Sequence, residues 1–224
     1  MSVAYPPADP DAVDHDHFRR TAPVALDIDA VLCDLVGGCR LACAEFLGVA
    51  PEVLFLGENY YVPWEHPDPA LTARLAPVMV EMWTKEQTIL SAKPVEGGLA
   101  LATTIANAGR LKSYITRRPP EVDFLTERWL RTHGFPLDGV ELHHVGGTNA
   151  CKSVTARAVG ATLLIDDSVN ETTSALGNGM HVVMVAMNYN RAAAVELAAK
   201  YGDRFFDAAD TTAALAAVMP EDAR

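Results

Sequence analysis

Short, fully apolar runs that alternate with helical patterns constrain this chain more than any other feature. "VALDID" (24–29), "LKSYIT" (111–116), "TLLIDD" (162–167) and "HVVMVAM" (181–187) are compact and rich in Val, Ile and Leu, as strands covered on both faces must be. "VELHHV" (140–145) is a weaker fifth candidate. Helical patterns lie between them at 97–110, 119–134, 151–160 and 169–179, with Gly109, Gly134, Gly160 and Gly177 placed to stop them. A closing helix is expected over 210–219. Such alternation implies an α/β fold, a parallel sheet flanked by helices, with ligand sites at the carboxyl ends of its strands.

The stretch from 35 to 94 breaks the rhythm. "LVGGCRLACAEFLG" and "DPALTARLAPVMVEMWTKEQTIL" read as helices, the second kinked or divided at Pro77, and "ENYYVPWEHPDP" between them is rich in aromatics and turn formers. The expected organisation is a core over 23–34 and 95–219 with a small helical unit at 35–94 inserted after the first strand. Residues 1–22 are polar and Pro-rich, unlike the apolar centre of a secretory signal, and read as a loose arm whose "DHDH" (14–17) is too poorly preorganised for a metal.

Composition narrows the partners. With 18 Lys and Arg against 29 Asp and Glu, the net charge of −11 disfavours a nucleic-acid polymer, although a metal or local cations can still attract a small anion. No apolar run approaches a membrane span. The four cysteines (Cys33, Cys39, Cys43, Cys151) form no CxxC pair and read as buried free thiols, consistent with a cytoplasmic protein.

The chemistry collects at strand ends. Asp27 and Asp29 close the first run, Thr116 the second, Lys152 opens a helix, and Asp166 and Asp167 end another strand. Alone, Asp27 and Asp29 are either cation-binding acids or acidic turn residues, and would share a face if the strand continued. Together the set offers a nucleophile, an acid/base, a hydroxyl, a cation and metal-binding oxygens, as phosphoryl transfer requires. Clustered carboxylates raise one another's pKa, which a dication and a lysine offset, and oxygen donors favour Mg²⁺ over zinc.

In this order the motifs resemble those of the haloacid dehalogenase superfamily, specifically its Mg²⁺-dependent phosphatases. "DIDAV" resembles the first motif, "YIT" the second, Lys152 the third and "LIDD" the fourth, and "KPVEGGLALATTIANAGRLKSYITRRP" is similar to the passage leading into the second. The resemblance implies a Rossmann-like core with a cap. It makes Asp27 the nucleophile, forming an aspartyl-phosphate, and Asp29 the acid and base. Thr116 and Lys152 would hold and neutralise phosphoryl oxygens. Mg²⁺ would lie on Asp27, Asp166 and the Asp29 backbone carbonyl, with Asp167 binding through water or orienting the shell. The first motif carries Ala30 where Gly is common.

"YITRRP", the doubled "IDD" and "MNYNR" (187–191) resemble the 5′-nucleotidases of the deoxyribonucleotidase-like branch more narrowly. That reading implies a nucleoside monophosphate or similar small ester, a cap at 35–94 that excludes water, stacking by Tyr60, Tyr61 and Trp64, and Arg117 or Arg118 on the phosphate. A sugar phosphate is the alternative, because motifs report the reaction and caps the substrate. A dehalogenase is disfavoured by Asp29, Asp166 and Asp167, and a non-catalytic binding protein by intact acids at every motif. His143 and His144 match no motif, and a homodimer is compatible with everything above.

Overall fold

The apolar runs pair side by side because neither face of any of them tolerates water. A computed structural model describes residues 14–148 and 150–219. Six parallel strands form the central sheet: β1 (Val24–Leu26), β2 (Leu111–Thr116), β3 (Glu141–His144), β4 (Leu163–Asp166), β5 (His181–Val185) and β6 (Phe205–Ala208). Their order is β6-β5-β4-β1-β2-β3, so β1 lies centrally, pairing Leu26 with Tyr114 of β2 and Ile165 of β4. The chain switches direction across the sheet at β1, where this class of fold opens its ligand crevice.

Helices follow the chain as α1 (His15–Thr21), α2 (Leu35–Leu47), α3 (Pro69–Thr72), α4 (Ala76–Met82), α5 (Glu86–Ser91), α6 (Gly98–Asn107), α7 (Asp123–Thr132), α8 (Lys152–Ala158), α9 (Val169–Gly177), α10 (Arg191–Tyr201) and α11 (Thr211–Val218). Strand alternation divides the core between the two faces of the sheet. Val24, Leu26, Leu163, Ile165 and Val183 pack with α6, α7 and α11; Ala25, Leu164, Val182 and Met184 pack with α8, α9 and α10. Buried Trp129 of α7 donates its indole N–H to the Ala92 carbonyl (2.8 Å), tying the first layer to the end of the inserted segment.

That segment leaves at Cys33–Asp34 and returns at Lys93–Pro94, and these two pairs form an antiparallel stem. A second small ribbon pairs Phe55–Leu56 with Trp64–Glu65. Pro77 sits in the first turn of α4, where its missing N–H is harmless, so it divides the long helical pattern at its start instead of kinking it. Cys33, Cys39 and Cys43 are buried free thiols, and burial pushes those of Cys39 and Cys43 up to about 12 and about 11.

Three elements depart from expectation. Residues 15–21, inside the supposed loose arm, form α1, capped by Asp14. Arg110 fastens this helix: its guanidinium donates to the carbonyls of Ala22 (2.9 Å), Arg19 (2.6 Å) and Val218 (2.5 Å), joining the ends of α1 and α11. In "DHDH", Asp16 pairs with Arg19 and Arg20, and His15 meets His181 (2.8 Å). Residues 1–13 of the arm lie outside the described residues. Helix α10 and the edge strand β6 carried no clear sequence signal; α10 is alanine-rich with only a narrow apolar stripe, and β6 is four residues long. Among the described residues no helix is long and apolar enough to cross a membrane.

Candidate active site

Strand β1 ends at Leu26, earlier than the apolar run suggested. The Asp27 amide still extends the ladder to the Ile165 carbonyl (2.9 Å), but the chain then curls, with the Leu32 and Cys33 amides both donating to the Ile28 carbonyl (2.8 Å). The curl requires Ala30 at φ +62°, the one non-glycine residue with positive φ among those described. A Cβ in that region costs about 1–2 kcal/mol. Asp27 and Asp29 therefore face one chamber because of this turn and not because of strand alternation.

The chamber is lined by Asp27, Asp29, Ala30, Val36, Tyr60, Trp83, Arg117, Lys152, Asp167 and Tyr189. Lys152, placed by the first turn of α8, reaches Asp27 Oδ1 (2.7 Å) and Asp166 Oδ2 (2.8 Å) and is itself 1% exposed. Burial alone would lower the Lys152 pKa, but the two carboxylates outweigh it and hold the ammonium charged. The Ile28 amide also donates to Asp27 Oδ1 (2.7 Å), which fixes the carboxylate. Asp166 Oδ1 accepts from the Ser168 amide (2.8 Å).

Asp27, Asp166 and Asp167 present carboxylate oxygens all within 4.8 Å of one another, and all three are buried. Burial raises all three pKa values, Asp167 to about 7; neighbouring carboxylates add to the rise in each, Glu171 in the case of Asp166, and Lys152 pulls each of the three back. Fully ionised, three acids against one lysine would carry a buried excess of negative charge, and a hard dication with oxygen ligands would answer it in place of protons. The donor set fits such an ion.

Asp29 lies outside this cluster. Arg118 grips its carboxylate through Nη2 to Oδ1 (2.6 Å) and Nε to Oδ2 (3.1 Å), and the Thr116 hydroxyl donates to Oδ2 (3.3 Å). Arg118 also donates to Thr126 Oγ1 (3.2 Å) and Cys33 Sγ (3.3 Å), and its side chain is 0% exposed. The expectation that Arg118 meets substrate is corrected: it is sealed beneath Asp29. Thr116, whose hydroxyl also accepts the Arg118 amide (3.1 Å), lies one layer below the chamber. Gly146 makes this packing feasible, because a Cβ there would stand 1.9 Å from the Arg117 carbonyl oxygen.

Arg117 does line the chamber, half-exposed, with Nε and Nη2 held by buried Glu171, which also accepts the Lys152 amide (3.1 Å). Tyr60 stands in the chamber wall, and Tyr61 lies outside it, 69% exposed, on a groove with Arg117 and Asn170. Trp64 is a second correction. It is buried, its indole N–H donates to the Val36 carbonyl (2.6 Å), and Arg40 covers its ring (5.1 Å), so packing occupies it fully. Trp83, Glu171 and the contact of Tyr189 with Asp167 carry no clear signal in the sequence beyond the hint of "MNYNR" at the last. His143 bonds Glu141 (3.0 Å), His144 bonds Asp123 (3.3 Å) and Thr126 (3.1 Å), the hydroxyl that Arg118 also reaches, and neither histidine lines the chamber.

No protein-family model and no curated protein matches the chain. Solved structures do. A haloacid dehalogenase-like family hydrolase from Streptococcus pneumoniae superposes with a TM-score of 0.57 at 14% identity, covering 88% of this chain and 98% of that one. A hydrolase of the same family from Deinococcus radiodurans, with bound phosphate and sodium, gives 0.58 at 15% identity over 90% and 99%. A candidate phosphoglycolate phosphatase from Lactobacillus delbrueckii gives 0.56 at 15% over 90% and 100%. At such identities the likeness is one of architecture, and the chain has the α/β Rossmann-like fold of haloacid dehalogenase-like hydrolases.

Proposed function

We propose that this protein is a Mg²⁺-dependent phosphomonoester hydrolase that works through an aspartyl-phosphate on Asp27. The observation carrying this reading is the buried convergence of Asp27, Asp166 and Asp167 on Lys152, with Asp29 held beside them by Arg118. Asp27 Oδ1 is tied to Lys152 and the Ile28 amide, so Oδ2 is the attacking oxygen. It forms the bond to phosphorus as the ester P–O bond breaks, and Asp29 delivers a proton to the departing oxygen. Asp29 then takes a proton from the water that cleaves the acyl phosphate. Asp27, Asp166 and Asp167, with the Asp29 carbonyl, would hold Mg²⁺, whose chemistry is to neutralise charge on the phosphoryl oxygens. Lys152 supplies the same service permanently.

The segment 35–94 serves as a cap, contributing Val36, Tyr60 and Trp83 to the chamber and excluding water. Tyr60, with Tyr61 on the outer groove, supports a planar leaving group such as a nucleoside. The loss of Trp64 to packing favours a second reading, a smaller sugar phosphate or short-chain phosphate ester, and the candidate phosphoglycolate phosphatase among the similar structures points the same way. Phosphate release across nucleoside monophosphates, sugar phosphates and short-chain phosphates, with and without Mg²⁺, tests both. Activity with one class, lost on chelation and in Asp27→Asn, is expected. A wild-type protein inert on the whole panel would sink the proposal.

A further inference from the structure

The segment 186–190, after β5, does two things at once. Asn190, fully buried, donates to the Asp167 and Val185 carbonyls (2.8 Å each) and accepts the Met187 amide (2.8 Å), which fixes the turn. The turn aims the Tyr189 hydroxyl at Asp167 Oδ2, to which it donates. On its other side the Tyr189 ring meets Tyr60 of the inserted segment edge-on, with centroids 5.2 Å apart. Asn188 adds a second tie, donating to the Leu56 carbonyl (3.3 Å) on the ribbon of the same segment.

We infer that Tyr189 is a positioning residue that orients Asp167 for the cation, and that Tyr60 holds Tyr189 in place, so that seating of the 35–94 segment and cation binding reinforce each other. This rests on the reading of Asp27, Asp166 and Asp167 as the cation site. A carboxylate with one oxygen committed to a phenol has one oxygen left to present, and its plane is fixed. An aromatic edge contact restricts the phenol ring more than an open chamber would. Tyr60 lines the same chamber as Asp27 and Asp167, and the contact by which it can fix the orientation of Asp167 is its edge-on packing against Tyr189. Any coupling of this kind is reciprocal: if the seated segment improves cation affinity, the cation must tighten the segment by the same factor.

The test is calorimetric titration of the full chain with MgCl₂ alone, without substrate, alongside the Mg²⁺-induced rise in unfolding temperature. Tyr189→Phe keeps the ring and its contact with Tyr60 but removes the hydroxyl, and is expected to weaken Mg²⁺ binding about tenfold or more. Tyr60→Ala is expected to weaken it about fivefold. Tyr60→Phe, which keeps the edge contact, is expected to restore wild-type affinity, an outcome that a general loosening of the fold does not produce. Mg²⁺ is also expected to slow proteolysis within 35–94 in the wild type and less so in Tyr60→Ala. Equal Mg²⁺ affinity in wild type and Tyr189→Phe would overturn the inference while leaving the cation site standing. A wild type that binds no Mg²⁺ would overturn both.

Discussion

Arg118 and Asp29 form a closed pair in which the guanidinium, fully buried, spends its fork on a carboxylate that faces the chamber. Burial alone would ease the proton off Arg118, but Asp29 more than reverses this, so the cation is permanent. Arg118→Lys is expected to keep the charge and lose the two-point grip, lowering kcat about a hundredfold with a smaller change in KM. Arg118→Ala strands a buried carboxylate and is expected to cost about 3–5 kcal/mol by urea unfolding. An Arg118→Lys variant with wild-type kcat would show that Asp29 needs no such support.

Arg110 makes a structural prediction away from the site. Three carbonyls at the ends of α1 and α11 converge on its guanidinium. Arg110→Met removes the donors and leaves those carbonyls short of partners. The expected loss is about 2–4 kcal/mol in chemical unfolding, given that hydrogen bonds to a charged group contribute about 1.5–3 kcal/mol. Faster proteolysis near residues 19–22 should accompany it.

His181 gives the chain an acid-sensitive end. Burial, then the neighbouring His15, Arg19 and Arg204, depress its pKa to about 4 from an ordinary 6.5, and Phe18 of α1 stacks on its ring at 4.1 Å. The unfolded chain takes up a proton below pH 6.5 that the folded one refuses until about pH 4. Stability from this group is therefore complete above 6.5 and falls as pH drops through that window. By pH 5 the loss is on the order of 2 kcal/mol. Urea midpoints measured at pH 7.5 and 5 should diverge in the wild type, and His181→Gln should reduce the divergence.

Ala30→Gly tests the turn that aims Asp27 and Asp29. Relief of the left-handed strain, about 1–2 kcal/mol, exceeds the added freedom of the unfolded chain, about 0.4–1 kcal/mol. The variant should unfold at a higher urea concentration. A drop in stability would mean that the Ala30 methyl packs more productively than its backbone geometry allows.

How much of this was legible in the sequence follows from the range of the forces involved. Runs such as "TLLID" announce burial on both faces directly, and the four strands read from such runs all pair in the sheet, joined by the weaker "VELHHV". Asp27, Asp29, Lys152, Asp166 and Asp167 stood out in the sequence by their places after strands or at a helix start, and the structure brings them together, with Lys152 bonded to Asp27 and Asp166. Arg118 and Trp64 were misplaced because an Arg or Trp reads alike whether it faces solvent, substrate or a buried partner, and only the packing of Thr126, Cys33, Val36 and Arg40 decides. Helix α1 escaped notice because Arg110, 88 residues from Ala22, supplies what its own composition lacks.

The stem formed by Cys33–Asp34 and Lys93–Pro94 carries one last consequence. The two ends of the segment meet as neighbours, and beyond that doorway it is held to the core by shared apolar surface and a few discrete ties, among them Trp129 to the Ala92 carbonyl, Asn188 to the Leu56 carbonyl and Tyr189 against Tyr60. Doubling the length of such a segment costs only about 0.6 kcal/mol in closure entropy. The segment can therefore lengthen at little cost while Asp27, seven residues upstream of Asp34, stays where it is. On the proposed reading, substrate choice can vary with the length and lining of the segment while the acids at the strand ends keep their places.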